Sequence, residues 1–208
     1  MPKAFFRLVA SAFATFVATF LLATLLPTPT ILHAQSPRAE RISVFDVGIY
    51  CAETIARYPE PTAPGGYINT VTEPWLLKRT TDIPTRLGTR FGMRYIIAGT
   101  SEATVPVRLV TKLPSQGAQD PESGKTIFGG SYTFSVRVGA TDFRGYQLEF
   151  DWERVPGVWT FEFWVNERKL AEQNFTLIDP LTTKKNLTGT SCSPLLSGIN
   201  VPPTSASN

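Results

Sequence analysis

Carboxylates at alternating positions are the first side chains whose types and spacing could do chemistry. They are Glu149, Asp151 and Glu153. In a β-strand, alternate residues point to one face, so these carboxyl groups would lie about 6–7 Å apart. That separation suits a calcium site or the acid and base of glycoside hydrolysis. A solvated sheet face, paired with cations on neighbouring strands, is the more ordinary interpretation and the favoured one.

Three arginines form a second row, and they are Arg86, Arg90 and Arg94. Alternation predicts a strand over residues 86–97 with these arginines on its polar face, because the glycines between them disfavour a helix. Their guanidinium groups could bind a phosphate, a uronate or another acidic partner. Pairing with carboxylates of neighbouring strands, or plain solvation, is the alternative.

Trp164 is an aromatic residue that falls out of a regular alternation. Trp159, Phe161 and Phe163 face inward in the predicted strand, so Trp164 should lie on the polar face or at a rim. Exposed aromatic rings on a sandwich can stack on sugars or fill a partner's pocket. A tryptophan covered by the C-terminal tail or by a neighbouring loop is the favoured alternative.

The chain of 208 residues contains one histidine, His33, and its position limits the remaining chemistries. It follows an apolar N-terminal segment. If that segment is removed on export, the mature chain has no histidine, which excludes a Ser-His-Asp triad, a Cys–His pair and a His-ligated zinc site. No cofactor and no metal are therefore predicted.

The first 34 residues have the organisation of a secretory signal peptide. Lys3 and Arg7 precede an apolar run over residues 8–26, and prolines follow it. Cleavage is predicted between Ala34 and Gln35, where a small residue precedes the cut. The 19-residue apolar run is also just long enough to cross a bilayer, so an uncleaved membrane anchor is the alternative.

Removal of this segment also changes the charge balance. It takes two of the 20 Lys and Arg residues and none of the 17 Asp and Glu residues, so the formal net charge falls from +3 to +1. A near-neutral exported chain lacks the broad basic field of a nucleic-acid-binding protein. The predicted partner is therefore an unknown protein or glycan of the envelope. Contact with a membrane is predicted only if the N-terminal segment is uncleaved.

Two cysteines remain in the mature chain, Cys51 and Cys192. An even count in an exported protein favours a disulfide, and two free thiols are the alternative. The bond would close a loop of about 140 residues and stabilise the fold by roughly 4–5 kcal/mol in the chain-entropy description. A catalytic cysteine would lack a histidine to activate it.

Period-two alternation in short stretches separated by turn residues dominates the rest of the chain and predicts an all-β sandwich. About eight strands are predicted, over residues 42–51, 70–81, 86–97, 103–113, 126–138, 143–153, 159–165 and 170–178. Residues 52–68 and 114–125 are predicted as loops. One sandwich domain at residues 42–178 would follow a short linker at residues 35–41 and precede a flexible, Pro/Ser/Thr-rich tail at residues 179–208, held to the domain by Cys192.

Two segments resemble an uncharacterised bacterial family of exported proteins that share a domain of unknown function. They are Thr-Asp-Ile-Pro-Thr-Arg-Leu-Gly-Thr-Arg-Phe-Gly-Met-Arg-Tyr at residues 81–95 and a stretch that begins with Gly-Tyr at residues 145–146. The second stretch runs through Trp-Glu-Arg-Val-Pro-Gly-Val-Trp-Thr-Phe at residues 152–161 and continues to Lys-Leu-Ala-Glu-Gln-Asn-Phe at residues 169–175. The second segment is also similar to the last two strands of many bacterial immunoglobulin-like modules. The resemblance covers residues 42–178 and implies an immunoglobulin-like antiparallel β-sandwich of about seven or eight strands, in a bacterial protein that is periplasmic or secreted. It implies no activity, substrate or catalytic residue.

These observations favour a non-catalytic binding or accessory module of the bacterial envelope. Recognition would use a sheet face, a loop or an edge strand, with Arg86, Arg90, Arg94 and Trp164 as candidate contacts. A histidine-free glycan hydrolase that uses Glu149, Asp151 or Glu153 is the first alternative. An envelope protein tethered by an uncleaved N-terminus is the second.

Overall fold

The computed structural model describes residues 38–100, 104–181 and 192. The predicted signal peptide at residues 1–34, with His33 and the cleavage site between Ala34 and Gln35, lies outside the described residues, as does most of the predicted tail. Within the described part of the chain, no helix is long and apolar enough to cross a membrane.

Strands make up most of the described chain, together with one short 3₁₀ helix at Asp151–Glu153. The strands are β1 Arg38–Cys51, β2 Thr54–Pro59, β3 Tyr67–Val71, β4 Trp75–Arg79, β5 Asp82–Pro84, β6 Arg90–Thr100, β7 Thr104–Lys112, β8 Ala118–Gln119, β9 Thr126–Ile127, β10 Gly129–Arg137, β11 Thr141–Gln147, β12 Gly157–Val165 and β13 Arg168–Ile178.

Two main sheets pack face to face. The first has the strand order β11-β6-β1-β4, and the second has the order β10-β7-β12-β13-β5. Neighbours in these sheets are antiparallel, except that the short β5 runs parallel to β13. The hairpins β2–β3 and β8–β9 form two small additional ribbons. The predicted all-β, antiparallel sandwich is confirmed. The predicted loop over residues 114–125 contains the short β8, and the predicted strand over residues 126–138 is divided into β9 and β10.

The core lies between the two sheets, where alternate side chains from both inner faces interdigitate. Phe91 of β6 is fully buried and joins the sheets, because its ring lies 6.0 Å from Trp159, 5.9 Å from Phe161 and 5.1 Å from Phe175. The prediction that Trp159, Phe161 and Phe163 face inward is confirmed. Edge-to-face packing of these rings adds to the free energy gained from their burial.

The prediction of a loop over residues 52–68 is wrong. β2 and β3 form an antiparallel hairpin there, in which Arg57 lies opposite Asn69. β2 leaves nearly every side chain exposed, including Ile55 and Tyr58, so its sequence carries no alternation between apolar and polar residues. β3 of this hairpin lines the cavity described below, and its Asn69 donates a hydrogen bond to Glu149, just after the end of β11.

The predicted strand over residues 86–97 begins later than expected. β6 starts at Arg90, and the four residues before it form a turn in which Gly88 has a φ of +79°. Glycine adopts that left-handed conformation without the steric cost that a side chain would bring. Leu87, which a strand over residues 86–97 would place on the same face as the buried Phe91, is therefore half exposed, and Arg86 lies outside the strand.

The predicted strand over residues 143–153 is also shorter than expected. β11 ends at Gln147, and the chain then turns into the 3₁₀ helix. Leu148 remains buried, but Phe150 is exposed, so the apolar alternation does not continue along one face. By contrast, the predicted return strand at residues 170–178 is confirmed as part of β13, and the turn before it places Asn166 and Glu167 at positive φ.

Candidate functional site

A cavity of about 420 Å³ lies along one open edge of the sandwich. Edge strand β11 contributes most of one wall, and β10 of the other sheet contributes Tyr132 and Phe134. β3 and the chain that follows it complete the enclosure, and Arg90 and Arg94 come from β6. We call this space the edge cavity; its volume is in the range of sites that bind small ligands.

Aromatic side chains form much of the lining. They are Tyr67, Tyr132, Phe134, Phe143 and Tyr146, together with the core residue Phe161. The Arg144 guanidinium stacks on Phe134, with 3.8 Å between its central carbon and the ring centroid. Such walls bury apolar parts of a ligand and leave a few polar groups to orient it.

Arg90 is the most deeply buried charged side chain of this lining. It is only 6% exposed, and its Nη2 donates to Gln147 Oε1 and, at 3.1 Å, to Thr54 Oγ1. Both acceptors are neutral. Burial lowers the pKa of the Arg90 guanidinium, and the nearby Glu149 carboxylate opposes that shift. Arginine keeps its proton in proteins, so this position places a positive charge in a largely dry environment.

Glu149 belongs to a polar network behind the cavity wall. Its carboxylate forms an ion pair with Arg57 and accepts hydrogen bonds from the Tyr67 hydroxyl at 3.0 Å and from the Asn69 amide at 2.7 Å. Three of these four side chains come from the β2–β3 hairpin. The network therefore fixes the hairpin to the end of β11 and holds the cavity wall in place.

Glu153 is a buried carboxylate with a structural set of partners. It is 1% exposed, and its Oε2 accepts the backbone N–H groups of Glu149 at 2.6 Å and Phe150 at 2.9 Å. Its Oε1 accepts a hydrogen bond from the Tyr146 hydroxyl at 2.5 Å. Burial raises the pKa of Glu153, although these hydrogen bonds partly counteract the shift. The side chain closes the turn that leads into the 3₁₀ helix.

The predicted row of three carboxylates on one sheet face is wrong. Only Gln147 and the residues before it belong to β11, so Glu149, Asp151 and Glu153 lie in a turn and a 3₁₀ helix. Asp151 is 77% exposed in its side chain and pairs with Arg154 at 2.9 Å, whereas Glu153 points inward. The regular strand spacing on which a calcium site or an acid–base pair depended is therefore missing.

The predicted arginine row is divided by the structure. Arg90 and Arg94 lie on β6 and line the edge cavity, but Arg86 lies in the preceding turn with an exposed side chain. Arg94 pairs with the exposed Glu73 at 2.6 Å and also donates to the Pro74 carbonyl at 2.7 Å. Two of the three candidate arginines thus share one site.

Trp164 lies on the outer face of the second sheet and does not line the cavity, although Phe161 of the same strand does. Its indole N–H donates to Glu162 at 3.0 Å, and the Arg108 guanidinium lies 5.3 Å from its ring. Glu162 is only 3% exposed and pairs with Lys112 at 2.7 Å and Lys169 at 3.2 Å. Neighbouring side chains therefore cover part of the tryptophan.

Arg144 is a cavity residue that the sequence reasoning missed. It lies in the same alternation phase as Tyr146 and the fully buried Leu148, which is the phase that a strand over residues 143–153 would turn toward the core. Arg144 pairs with Asp142 at 3.0 Å, so two charged residues occupy a phase expected to be apolar. A charged pair in the inward phase of an edge strand was the signal for a polar site there.

Cys51 and Cys192 form a disulfide with a Cα–Cα distance of 5.4 Å. Cys51 is the buried last residue of β1, so the bond joins the end of a central strand to the C-terminal region. In the described residues, no group of three or more histidine, cysteine, aspartate or glutamate side chains is placed to hold a metal ion.

Together these features define the class of the protein: an antiparallel β-sandwich with a charged and aromatic cavity at one open edge. The family model described as "Domain of unknown function (DUF3859)" matches residues 38–177, and the chain belongs to that family. The predicted membership of a family of unknown function is thereby confirmed.

Two solved structures are similar to parts of the chain. One is an immunoglobulin-like protein from Pseudomonas aeruginosa, with 26% identity over 69% of this chain and 97% of that chain, and a TM-score of 0.48. The other is an alkylpurine DNA glycosylase from Pseudomonas fluorescens, bound to DNA containing an abasic site analogue, with 19% identity over 47% of this chain and 27% of that chain, and a TM-score of 0.30. Both TM-scores are below 0.5, and the sandwich architecture follows from the two sheets of this chain. No curated protein matches the sequence.

Removal of the Glu153 carboxylate should destabilise the fold. Glu153→Ala leaves two partly buried backbone N–H groups and the Tyr146 hydroxyl without their acceptor, which should lower the free energy of unfolding by about 2–4 kcal/mol. Glu153→Gln keeps one acceptor oxygen and should lose less. Urea unfolding of both variants measures the difference, with the exposed Glu122→Ala as a control that should change stability by less than about 0.5 kcal/mol.

The same variants give a pH dependence with a defined sign. Because burial raises the pKa of Glu153 above its usual value of 4.5, the folded state favours the protonated carboxyl more than the unfolded state does. The stability from this group is complete below that usual value and is lost as the pH rises through the raised pKa. The stability advantage of the wild type over Glu153→Gln should therefore be larger at pH 4 than at pH 7; an advantage that grows with pH would contradict the assignment.

Proposed function

We propose that the protein is a non-catalytic binding module of the bacterial envelope, periplasmic or secreted, and that the edge cavity is its ligand site. The observation that carries this proposal is a preformed cavity of about 420 Å³ whose wall contains the buried Arg90 and several aromatic rings. A concave, mostly apolar space with a few convergent polar groups is the usual form of a small-ligand site.

The rigid frame around the cavity supports a binding role. The hairpin wall is held by Glu149 through Arg57, Tyr67 and Asn69. At its other end, the Ser131 N–H of β10 donates to the Thr62 carbonyl at 2.7 Å. Walls fixed at both ends keep the cavity open without a ligand, which lowers the conformational entropy lost on binding.

The contacts and exposure of the three candidate carboxylates, Glu149, Asp151 and Glu153, support a non-catalytic role. A glycan hydrolase needs two carboxyl groups that flank the scissile bond, one of them free to give or take a proton. Glu149 is committed to Arg57, Glu153 closes a backbone turn, and Asp151 is exposed on a 3₁₀ helix. An extracytoplasmic location is supported by the Cys51–Cys192 disulfide, since such bonds persist in oxidising compartments.

Two fluorescent probes test the proposal. They are 8-anilinonaphthalene-1-sulfonate, which carries a sulfonate, and N-phenyl-1-naphthylamine, which has the same aromatic body without the charge. The protein is expressed as the full chain, purified after export and labelled with ¹⁵N. We expect saturable binding of at least one probe at one site, with amide shifts at Asn69, Gly145 and Gln147 and none at Glu172 on the far edge of the second sheet. Binding of neither probe, or shifts spread over exposed apolar positions such as Leu77 and Val158, would overturn the cavity as a ligand site.

A further inference from the structure

The charged residues of the edge cavity do not balance one another. Among the described residues, its lining contains five charged side chains: Glu73, Arg90, Arg94, Asp142 and Arg144. Arg94 pairs with Glu73 at 2.6 Å, and Arg144 pairs with Asp142 at 3.0 Å. Arg90 remains as the excess positive charge of the lining.

The neighbours of Arg90 leave its charge without a dedicated counter-ion. Its Nη2 bonds only to the neutral oxygens of Gln147 and Thr54, and within the described chain no carboxylate oxygen lies within 4.0 Å of its nitrogens. Glu149 acts on Arg90 through space, but that carboxylate is already engaged by Arg57 and two further donors. A buried charge without a close partner is costly, so a site of this kind gains by accepting an anion.

A second cationic donor on the same wall has an open hydrogen-bonding position. The Nε of Arg144 is buried and has no acceptor among the described residues. Its two other nitrogens are used by the Phe143 carbonyl at 2.6 Å and by Asp142. Two arginines of the lining therefore carry N–H groups that the described protein does not use fully.

We propose that the edge cavity binds a small ligand that carries an oxyanion, a carboxylate or a phosphate, on an apolar body, with the oxyanion at Arg90. This inference rests on the proposed function and names its ligand class. Guanidinium groups form strong, directional hydrogen bonds with such oxyanions. The aromatic lining, from Tyr67 to Phe134, provides the apolar contact for the rest of the ligand.

The two probes separate this inference from the proposed function. They differ by one sulfonate, so their affinity ratio reports the contribution of the negative charge. We expect the anionic probe to bind the wild-type cavity at least about tenfold more tightly than the uncharged probe, as one charge-assisted hydrogen bond implies. Equal affinities, with amide shifts in the cavity for both, would overturn the oxyanion assignment and leave the proposed function standing. Binding of neither probe would overturn both.

Substitution of Arg90 assigns the charge effect to one residue. Arg90→Gln should weaken the anionic probe about 10- to 100-fold and change the uncharged probe by less than about twofold. Arg90→Lys keeps the charge but loses the fork of donors, so it should fall between the two. Arg86→Gln is the matched control, because that arginine lies outside the cavity, and it should change neither affinity.

Binding of the uncharged probe also controls for folding. If Arg90→Gln no longer binds either probe, the affinities of Arg90→Lys for the two probes are compared. Equal weakening of both affinities in Arg90→Lys would overturn the assignment.

Competition of octanoate, octyl phosphate and octanamide with the anionic probe then shows which oxyanion the cavity prefers. Displacement by octanoate or octyl phosphate, at concentrations where octanamide has no effect, supports the proposal and identifies the preferred group. Equal displacement by all three contradicts it.

Discussion

Replacing Phe91 with alanine should lower the free energy of unfolding by about 3–5 kcal/mol. The residue is fully buried in β6, and its ring contacts Trp159, Phe161 and Phe175 of the opposite sheet at centroid distances of 5.1–6.0 Å. Truncation removes these contacts and leaves a void between rigid aromatic neighbours that can collapse only partly. Domains of this size are stable by about 5–15 kcal/mol, so the loss would take a large share of the total.

Equilibrium unfolding in urea measures this loss. Phe91→Leu keeps much of the volume and should cost clearly less than Phe91→Ala. Phe128→Ala is the matched control, because Phe128 is 59% exposed and its truncation should change stability by less than about 0.5 kcal/mol. If Phe91→Ala cost less than 1 kcal/mol, as a surface change does, Phe91 would not be the side chain that joins the sheets.

The parts of the fold that sequence predicted well are those in which alternation reports burial. In β12 the apolar Trp159, Phe161 and Phe163 alternate with polar or outward-facing positions, and the structure places the three rings in the core. The β2–β3 hairpin shows the opposite case. Its strands are held by backbone pairing and by the Glu149 network, and they bury no apolar face of their own, so composition rich in proline and glycine predicted a loop.

The alternation of apolar and polar residues also continues beyond the ends of some strands, so the predicted strands are too long. Leu148 and Phe150 continue the pattern of β11, yet the chain leaves the sheet at Gln147 because the Glu153 carboxylate binds the N–H groups of Glu149 and Phe150. A side chain three or four residues ahead thus ends the strand through local side-chain-to-backbone hydrogen bonds. Period-two patterns carry no information about such contacts.

The candidate site was predictable in its residue types but not in its geometry. Arg90 and Arg94 were recognised as possible anion-binding residues from their spacing alone. Their burial depends on the β2–β3 hairpin, which approaches β6 so that Thr54 reaches Arg90 and the chain after β3 brings Glu73 to Arg94. An arginine on the polar face of a strand becomes buried only when another element covers that face, and no local pattern reports the covering element.

Loss of the Cys51–Cys192 disulfide should have an effect as large as the loss of Phe91. The bond joins residues 141 positions apart, so the closed loop contains every strand from β2 to β13. In the chain-entropy description, a loop of that length restricts the unfolded ensemble by about 5 kcal/mol. Cys51→Ala/Cys192→Ala should therefore lower the melting temperature by roughly 10–20 °C.

The reduced wild-type protein separates the cross-link from the packing of the sulfur atoms, because it keeps both thiols while opening the loop. If the bond acts on the unfolded chain, reduction and the double substitution should destabilise the protein by similar amounts. Both should also steepen the urea dependence of the unfolding free energy, since an unfolded chain without the cross-link exposes more surface. Dithiothreitol should leave the double variant unchanged. A large loss in the double variant with none on reduction would instead assign the stabilisation to the packing of Cys51, which is 1% exposed at the end of β1.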